Sequence, residues 1–500
     1  MILLFIAAAT IGGCASLPSL EGRTVSTAFA DTADTRLGGA VTRLAAAHPG
    51  KSGVYPLLDS REAFAARVLL ARAADRSLDV QYYIWHADLS GTLLLEALHQ
   101  AAGRGVRVRL LLDDNGIPGL DATLAALDAH PNIEVRLFNP FPNRSLRWLG
   151  YLTDFSRLNR RMHNKSFTAD NQATIVGGRN VGDEYFDAGE GAMFVDLDVL
   201  AAGPVVQDVS GDFDRYWASG SAYPVQGLLP PADGPFQLPA DASRTAAYLD
   251  AVRDTPFVRQ LIEGSLPLEW APVRLVSDDP AKGLGKADPG MLMAERLSAV
   301  VGEPRAEVEL ISAYFVPAVN GTRLFTGMAG RGVKVTILTN SLEATDVAVV
   351  HSGYAKRRRE LLEAGVRLFE MKAISPESQS GGALVGSSGS SASSLHAKTF
   401  AVDGLRVFIG SFNFDPRSAH LNTEMGFVID SAAMAQRIAE SFQTGIPQRS
   451  YEVRLSPEGD LYWIERNGTE ETRHDTEPNT GFFKRLAVRL ISILPIDWML

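Results

Sequence analysis

The chain has a single cysteine, Cys14, so no intrachain disulfide can staple it. It also lacks a basic excess. Forty-eight Lys and Arg against 58 Asp and Glu give a formal charge of −10, which argues against a nucleic-acid backbone as partner. The opening apolar run, Met1 to Thr10, is far short of the ~20 residues of a membrane-spanning helix. Nor is the composition that of a disordered chain: 46% hydrophobic and 21% charged residues over 500 positions suffice for two or more domains, each with its own core.

What is present is a duplication. His163-x-Lys165-x4-Asp170 returns as His396-x-Lys398-x4-Asp403, and each copy leads at the same offset into a Gly/Ser-x-Asn turn: Gly178-Arg179-Asn180, then Ser411-Phe412-Asn413. A lone copy arises by accident in roughly a few per cent of chains this long, but two copies in register are far rarer. Surrounding runs repeat in the same order. Leu78–Trp85 corresponds to Val308–Phe315, Gly105–Asp113 to Gly332–Asn340, and Val135–Phe138 to Val366–Phe369.

Apolar, β-branched runs separated by helix-compatible stretches predict an α/β fold: two tandem domains, each a mixed, largely parallel sheet with helices on both faces. The expected partition is a signal-like segment at 1–14, an N-terminal segment at 15–50, a first domain at 51–265, a Pro- and Gly-rich linker at 266–290, a second domain at 291–450 and a tail at 451–500. On the motif strands a spacing of two puts His and Lys on one face. Asp170 and Asp403 complete the motif, but Asp170-Asn171 and Asp403-Gly404 read as turns in which the carboxylates hold local structure.

The paired motifs resemble those of the phospholipase D superfamily, whose two copies meet in one active site. Asp79–Trp85, Asn159–Phe167 and Gly410–Ser418 are more closely similar to bacterial cardiolipin synthases, within them the C type, over about residues 50–500. The resemblance implies a phosphatidyl transfer to phosphatidylglycerol, with phosphatidylethanolamine the expected donor. Unlike many synthases of the other types, the chain shows no opening pair of membrane-spanning segments.

Phosphodiester exchange needs a nucleophile, a proton donor and positive charge on the non-bridging oxygens. His163 is the expected nucleophile, forming a phosphohistidine. His396 is the expected acid and then base. Lys165, Lys398, Asn180 and Asn413 would hold the phosphoryl oxygens, with Ser411 and the backbone near Gly178 as further donors. Each imidazole needs an acceptor on its other nitrogen. Glu424 resembles the family's acidic partner for His396, and either Asp196 or Asp198 would serve His163. No metal or other cofactor is expected, since lysines supply the charge. Three alternatives stay open: a hydrolase releasing phosphatidic acid, a nuclease, and a non-catalytic lipid-binding lipoprotein, against which the intact motifs speak. The need for an accessory protein and the oligomeric state are unconstrained.

The two ends point to a membrane. Cys14 closes Ile11-Gly12-Gly13-Cys14 after the apolar run and resembles a bacterial lipoprotein's lipidation site, although no Lys or Arg precedes it. Ala15 and Ser16, with no Asp, would then direct the chain to the outer membrane, facing the periplasm. At the other end Phe482, Leu486, Leu490 and Ile493 share one helical face and Lys484, Arg485 and Arg489 the other. That helix either lies on a membrane or docks on the protein itself. The Gly/Ser-rich stretch Ser378 to Ser394 is either a gate or an idle loop, and the Lys356–Arg359 cluster either a headgroup contact or a solvated face.

Overall fold

A computed structural model describes residues 17–189, 193–237, 242–345, 347–373 and 394–494. Cys14 and most of the Ser378–Ser394 stretch lie outside the described residues.

Two sheets carry the fold, and eight strands of each follow the same order. In the first that order is Ser52–Leu57, Asp198–Ala202, Ala173–Gly177, Ser166–Ala169, Ser77–Ile84, Arg107–Gly116, Ile133–Phe138 and Ala222–Pro224. In the second it is Val273–Ser277, Met425–Asp430, Arg406–Gly410, Lys398–Val402, Glu307–Ser312, Lys334–Asn340, Arg367–Met371 and Ser450–Leu455. The duplication is thus a duplication of whole domains.

Both sheets are mixed, as expected, but not largely parallel. Only the three central strands of each run parallel, Ser77–Ile84 with Arg107–Gly116 and Ile133–Phe138, and their counterparts. The other described pairings within these sheets are antiparallel. The physical reason lies in the connections: helical crossovers return a strand parallel, whereas the short turn between Ser166–Ala169 and Ala173–Gly177 can only reverse it.

The partition also shifts. Part of the expected linker is strand: Glu269–Ala271 adds an edge to the first sheet, and after Pro272 Val273–Ser277 opens the second. Likewise Ser450–Leu455, Leu461–Asn467 and Glu470–His474 of the expected tail extend the second sheet.

Helices cover both faces. Outside the first sheet Ser60–Ala73 and Leu89–Gly103 bury Phe64, Leu94 and Leu98 on Leu78, Val80 and Leu110; inside, Val205–Trp217 packs Phe213 and Trp217 near Leu111. Each helix N-terminus is capped where the sequence offers an acceptor, Asp59 for the first and Asp88 for the second. The two domains share a core in which Val176, Val199 and Ala201 meet Ile409, Met425 and Phe427. No helix among the described residues is long and apolar enough to cross a membrane.

Candidate active site

Main-chain pairing between the domains builds the site. In the first half the segment before the motif strand bridges to the second half: His163 N donates to Thr423 O at 2.8 Å, and Thr423 N to Arg161 O at 2.9 Å. The next residue, Glu424, therefore lies beside His163. The second half does the same, since Ser394–Leu395 pairs in parallel with Phe194–Val195 and His396 N donates to Val195 O at 2.8 Å. Asp196 follows and lies beside His396.

Each histidine thus receives its carboxylate from the other domain. His163 Nδ1 is 2.8 Å from Glu424 Oε2, and His396 Nδ1 is 2.5 Å from Asp196 Oδ2. This exchanges the partners expected from the sequence, where Glu424 was assigned to His396. Asp198 serves neither: it is buried against Arg67 at 2.8 Å and Arg179 at 3.5 Å and accepts from Arg179 N. Strand register explains the choice, because Gly177 pairs with Asp198 and Gly410 with Gly426, which makes Asp196 the counterpart of Glu424.

The turn glycines make room for these acids. A Cβ on Gly178 would fall 2.1 Å from Asp196 Oδ1, and one on Gly177 2.1 Å from Asp198 Oδ1. The Gly178 N–H is committed to Leu197 O at 3.2 Å, so it is not the oxyanion donor expected from the sequence. Ser411 Oγ donates to Glu424 Oε2 at 2.5 Å and so fixes the acid rather than standing ready for a phosphate. Asn180 and Asn413 have equivalent places: their Oδ1 atoms accept from Ile84 N and Tyr314 N at 3.2 and 3.3 Å, and Asn180 Nδ2 donates to Tyr185 OH.

Both lysines are buried beside their histidines, Lys165 Nζ donating to His163 O and Lys398 Nζ to His396 O. Aromatic rings wall the imidazoles, Tyr83 edge-on to His163 at 5.0 Å and Tyr185 edge-on to His396 at 5.2 Å. Asp170 and Asp403 stand apart from this chemistry. Asp170 accepts from the N–H groups of Asp75, Arg76 and Ser77, and Asp403 from those of Arg305, Ala306 and Glu307. In both halves the motif's aspartate ties down the start of the central strand.

The two histidines differ electrostatically. Burial, then the charges of Lys165, Lys398 and His396, hold His163 well below the usual imidazole range. His396 is lowered too, by burial and Lys398, but Asp196 opposes the shift. Asp196 stays below the ordinary carboxylate range because His396 and Lys398 outweigh its burial, whereas burial pushes Glu424 up to about 7. Burial also brings the Lys165 ammonium down to about 7.

Sequence reasoning missed two supports. Asp113 Oδ2 accepts from Met162 N at 2.7 Å, while its carboxylate grips Arg161. Asn340 Oδ1 accepts from Leu395 N at 2.9 Å, and Asn340 Nδ2 donates to Leu395 O at 2.8 Å. Each clamps the residue before a motif histidine. The available signal was a polar residue closing the second repeated apolar run in both halves.

Among the described residues, His86, Asp88 and Glu184 are the one group of three or more whose metal-ligating atoms all lie within 4.8 Å of one another. They are engaged otherwise: Asp88 caps a helix, and Glu184 pairs with His86 at 3.1 Å.

Comparison with known proteins agrees with this geometry. The family described as cardiolipin synthase, phospholipase D-like domain, matches residues 68–217 and 298–445. Cardiolipin synthase C of Escherichia coli K12 is 53% identical over 93% of this chain and its own full length. An uncharacterised Helicobacter pylori protein is 31% identical over 99% of both chains. Among solved structures, the phosphatidylserine synthase of Haemophilus influenzae superposes with a TM-score of 0.56 over 92% of this chain and all of its own, at 14% identity, and shares the fold. Two phospholipase D-like domains, each lending the other its acid, make this chain a member of the cardiolipin synthase family of phosphatidyltransferases.

Proposed function

We propose that the chain makes cardiolipin by moving a phosphatidyl group from phosphatidylethanolamine to a free glycerol hydroxyl of phosphatidylglycerol. The carrying observation is the pair of buried imidazoles, each with Nδ1 engaged by a carboxylate. That leaves both Nε2 atoms for chemistry.

His163, the more strongly depressed of the two, is neutral at pH 7 and attacks phosphorus. The P–O bond to the ethanolamine breaks, giving a phosphatidyl-histidine. His396, lowered by burial and Lys398 but supported in its protonated form by the ionised Asp196, donates from that form the proton that the departing alkoxide takes. The glycerol hydroxyl of phosphatidylglycerol then returns a proton to His396 as its oxygen attacks the phosphohistidine, and His163 is released. Lys165 and Lys398 carry the charge on the phosphoryl oxygens. Near-complete burial of the four side chains supports transfer over hydrolysis, since a dry site disfavours water as acceptor. The phospholipid substrates call for membrane association, and lipidation of Cys14 on the periplasmic face of the outer membrane would provide an anchor.

The test is lipid analysis of a cardiolipin-deficient bacterium expressing the chain or its His163→Ala and His396→Ala variants, supplied with phosphatidylethanolamine isotope-labelled in its phosphatidyl part. Labelled cardiolipin from the parent alone is expected. Phosphatidic acid without cardiolipin would instead make the chain a hydrolase.

A further inference from the structure

We propose that two outward-facing apolar stripes, Trp148, Leu152 and Phe155 in the first domain and Phe483, Leu490 and Ile493 in the second, seat the mouth of the active site on a phospholipid bilayer. The proposal rests on the reading that the substrates are membrane phospholipids, and it assigns the surface through which they arrive.

Scattered exposed hydrophobics are ordinary, whereas grouped ones at helical spacing mark an interaction face. Trp148 and Leu152, one turn apart, are 61% and 74% exposed, and Phe155, opening the next short helix, is 43% exposed. Phe483, Leu490 and Ile493 are 82%, 58% and 75% exposed, while Val488 of the same helix is buried against the protein. The helix Phe482–Ser492 is therefore docked by its opposite side, through contacts with Ala348–Ala355 and a bond from Lys484 Nζ to Leu342 O. Of the two alternatives read from the sequence, the structure shows docking on the protein, and it leaves the apolar side exposed.

Both stripes sit at the rim of the site. Tyr151, within the first helix, donates to Asn115 Oδ1 at 3.1 Å; Asn115 Nδ2 lies 3.5 Å from the Tyr83 hydroxyl, and the Tyr83 ring abuts His163. On the other side Leu342, which holds Lys484, follows by two residues the Asn340 that clamps Leu395 beside His396. Topology agrees, because Arg147–Thr153 follows Ile133–Phe138, and Ala348–Ala355, on which Phe482–Ser492 docks, follows Lys334–Asn340, at the ends of the parallel strands where the histidines lie. Charge selects the occupant. The chain is strongly acidic overall, yet Phe482–Ser492 carries Lys484, Arg485 and Arg489 with no carboxylate; Arg147, beside the first stripe, is paired with Asp121 at 3.2 Å. An apolar face bordered by cations matches a surface of anionic headgroups over acyl chains.

The test uses the full chain carrying Cys14→Ser, so that no acyl anchor contributes, and two double variants, Trp148→Glu with Leu152→Glu and Phe483→Glu with Ile493→Glu. Cosedimentation with vesicles of phosphatidylglycerol and phosphatidylethanolamine should weaken at least about tenfold for each pair. Turnover of short-chain, monomerically dispersed forms of the same lipids should stay within about twofold of the parent, which also reports intact folding. As a check that inserts no charge, brominated acyl chains should quench the part of the emission that Trp148→Phe removes. Undiminished vesicle binding by both pairs, or no such quenching, would overturn the proposal. So would light scattering that shows a dimer which either pair splits, because the stripes would then meet a second copy. A parent that binds vesicles but turns over neither lipid form would refute the proposed reaction while leaving the surface standing.

Discussion

Replacing Asp170 by Ala should unfold the first domain early while sparing the chemistry. Its carboxylate accepts from three consecutive N–H groups, at 2.9 Å from Asp75, 2.7 Å from Arg76 and 2.9 Å from Ser77. Ser77 N is buried, so losing its partner costs about 2 kcal/mol, and the two half-buried donors, which water can reach, cost about 0.5–1 kcal/mol each. The sum is about 3–4 kcal/mol, which for a domain of this size lowers Tm by roughly 6–16 °C. Asp403 makes the same set of bonds closer to solvent, so Asp403→Ala should cost only about 1–2 kcal/mol. Both aspartates adopt positive φ, 52° and 54°, a region Asn also tolerates, so Asp170→Asn should recover part of the loss. Thermal unfolding followed by circular dichroism gives the order, and turnover at 20 °C on the folded fraction should remain within about threefold of the parent, as no step of the mechanism uses either carboxylate. A folded Asp170→Ala chain with unchanged Tm, or one that folds normally and is inert, would refute the structural role.

Three further outcomes follow from the site and its surroundings. The pH profile of kcat/KM should be bell-shaped around 7: above it Lys165 loses its proton, and below it Glu424 gains one and can no longer accept from His163 Nδ1, so Glu424→Gln should lower the rate about 10²-fold or more and abolish the acid limb. Asn340→Ala should lower kcat by about 10- to 100-fold with little change in KM, and Asp113→Ala should do the same while also destabilising the fold by about 3–5 kcal/mol, because Arg161 is left buried and unpaired; steady-state kinetics and denaturant midpoints separate the two. Glu309, outside the site, has its carboxyl pushed up to about 7 by burial and Glu307. Its folded value lies above its unfolded one, so the parent is stabilised below the unfolded value and loses that advantage as pH rises through about 7. Glu309→Gln should therefore gain about 1–2 kcal/mol over the parent at pH 8 relative to pH 5, read as the difference in Tm.

The repeated motif and the repeated apolar runs carried the domain duplication, the six motif residues and the structural character of Asp170 and Asp403. They did so because sheet periodicity and turn chemistry are local. Strand direction was less legible: the parallel centre follows from helical crossovers, but the antiparallel flanks depend on hairpins that the long segments concealed. Exchange of the acids could not be read locally at all. Which carboxylate meets which imidazole is set by bridges such as Met162 to Thr423, between residues 261 positions apart. The register match of Asp196-Leu197-Asp198 with Glu424-Met425-Gly426 was nonetheless available, and it separates Asp196 from Asp198. Ser411 and Gly178 were correctly placed near the site but misassigned, because backbone commitments such as Gly178 N to Leu197 O appear only once the strands are paired.

The most direct test of the double displacement is peptide mapping of the full chain mixed with phosphatidylethanolamine and quenched with denaturant at neutral pH, which spares the acid-labile P–N bond, comparing the parent with His396→Ala and His163→Ala. The account expects a phosphatidyl adduct on the peptide bearing His163, transient in the parent, slower to form in His396→Ala because the leaving alkoxide lacks its acid but then persistent because the incoming hydroxyl lacks its base, and absent in His163→Ala. An adduct on His396, or turnover that persists in His163→Ala, would contradict it.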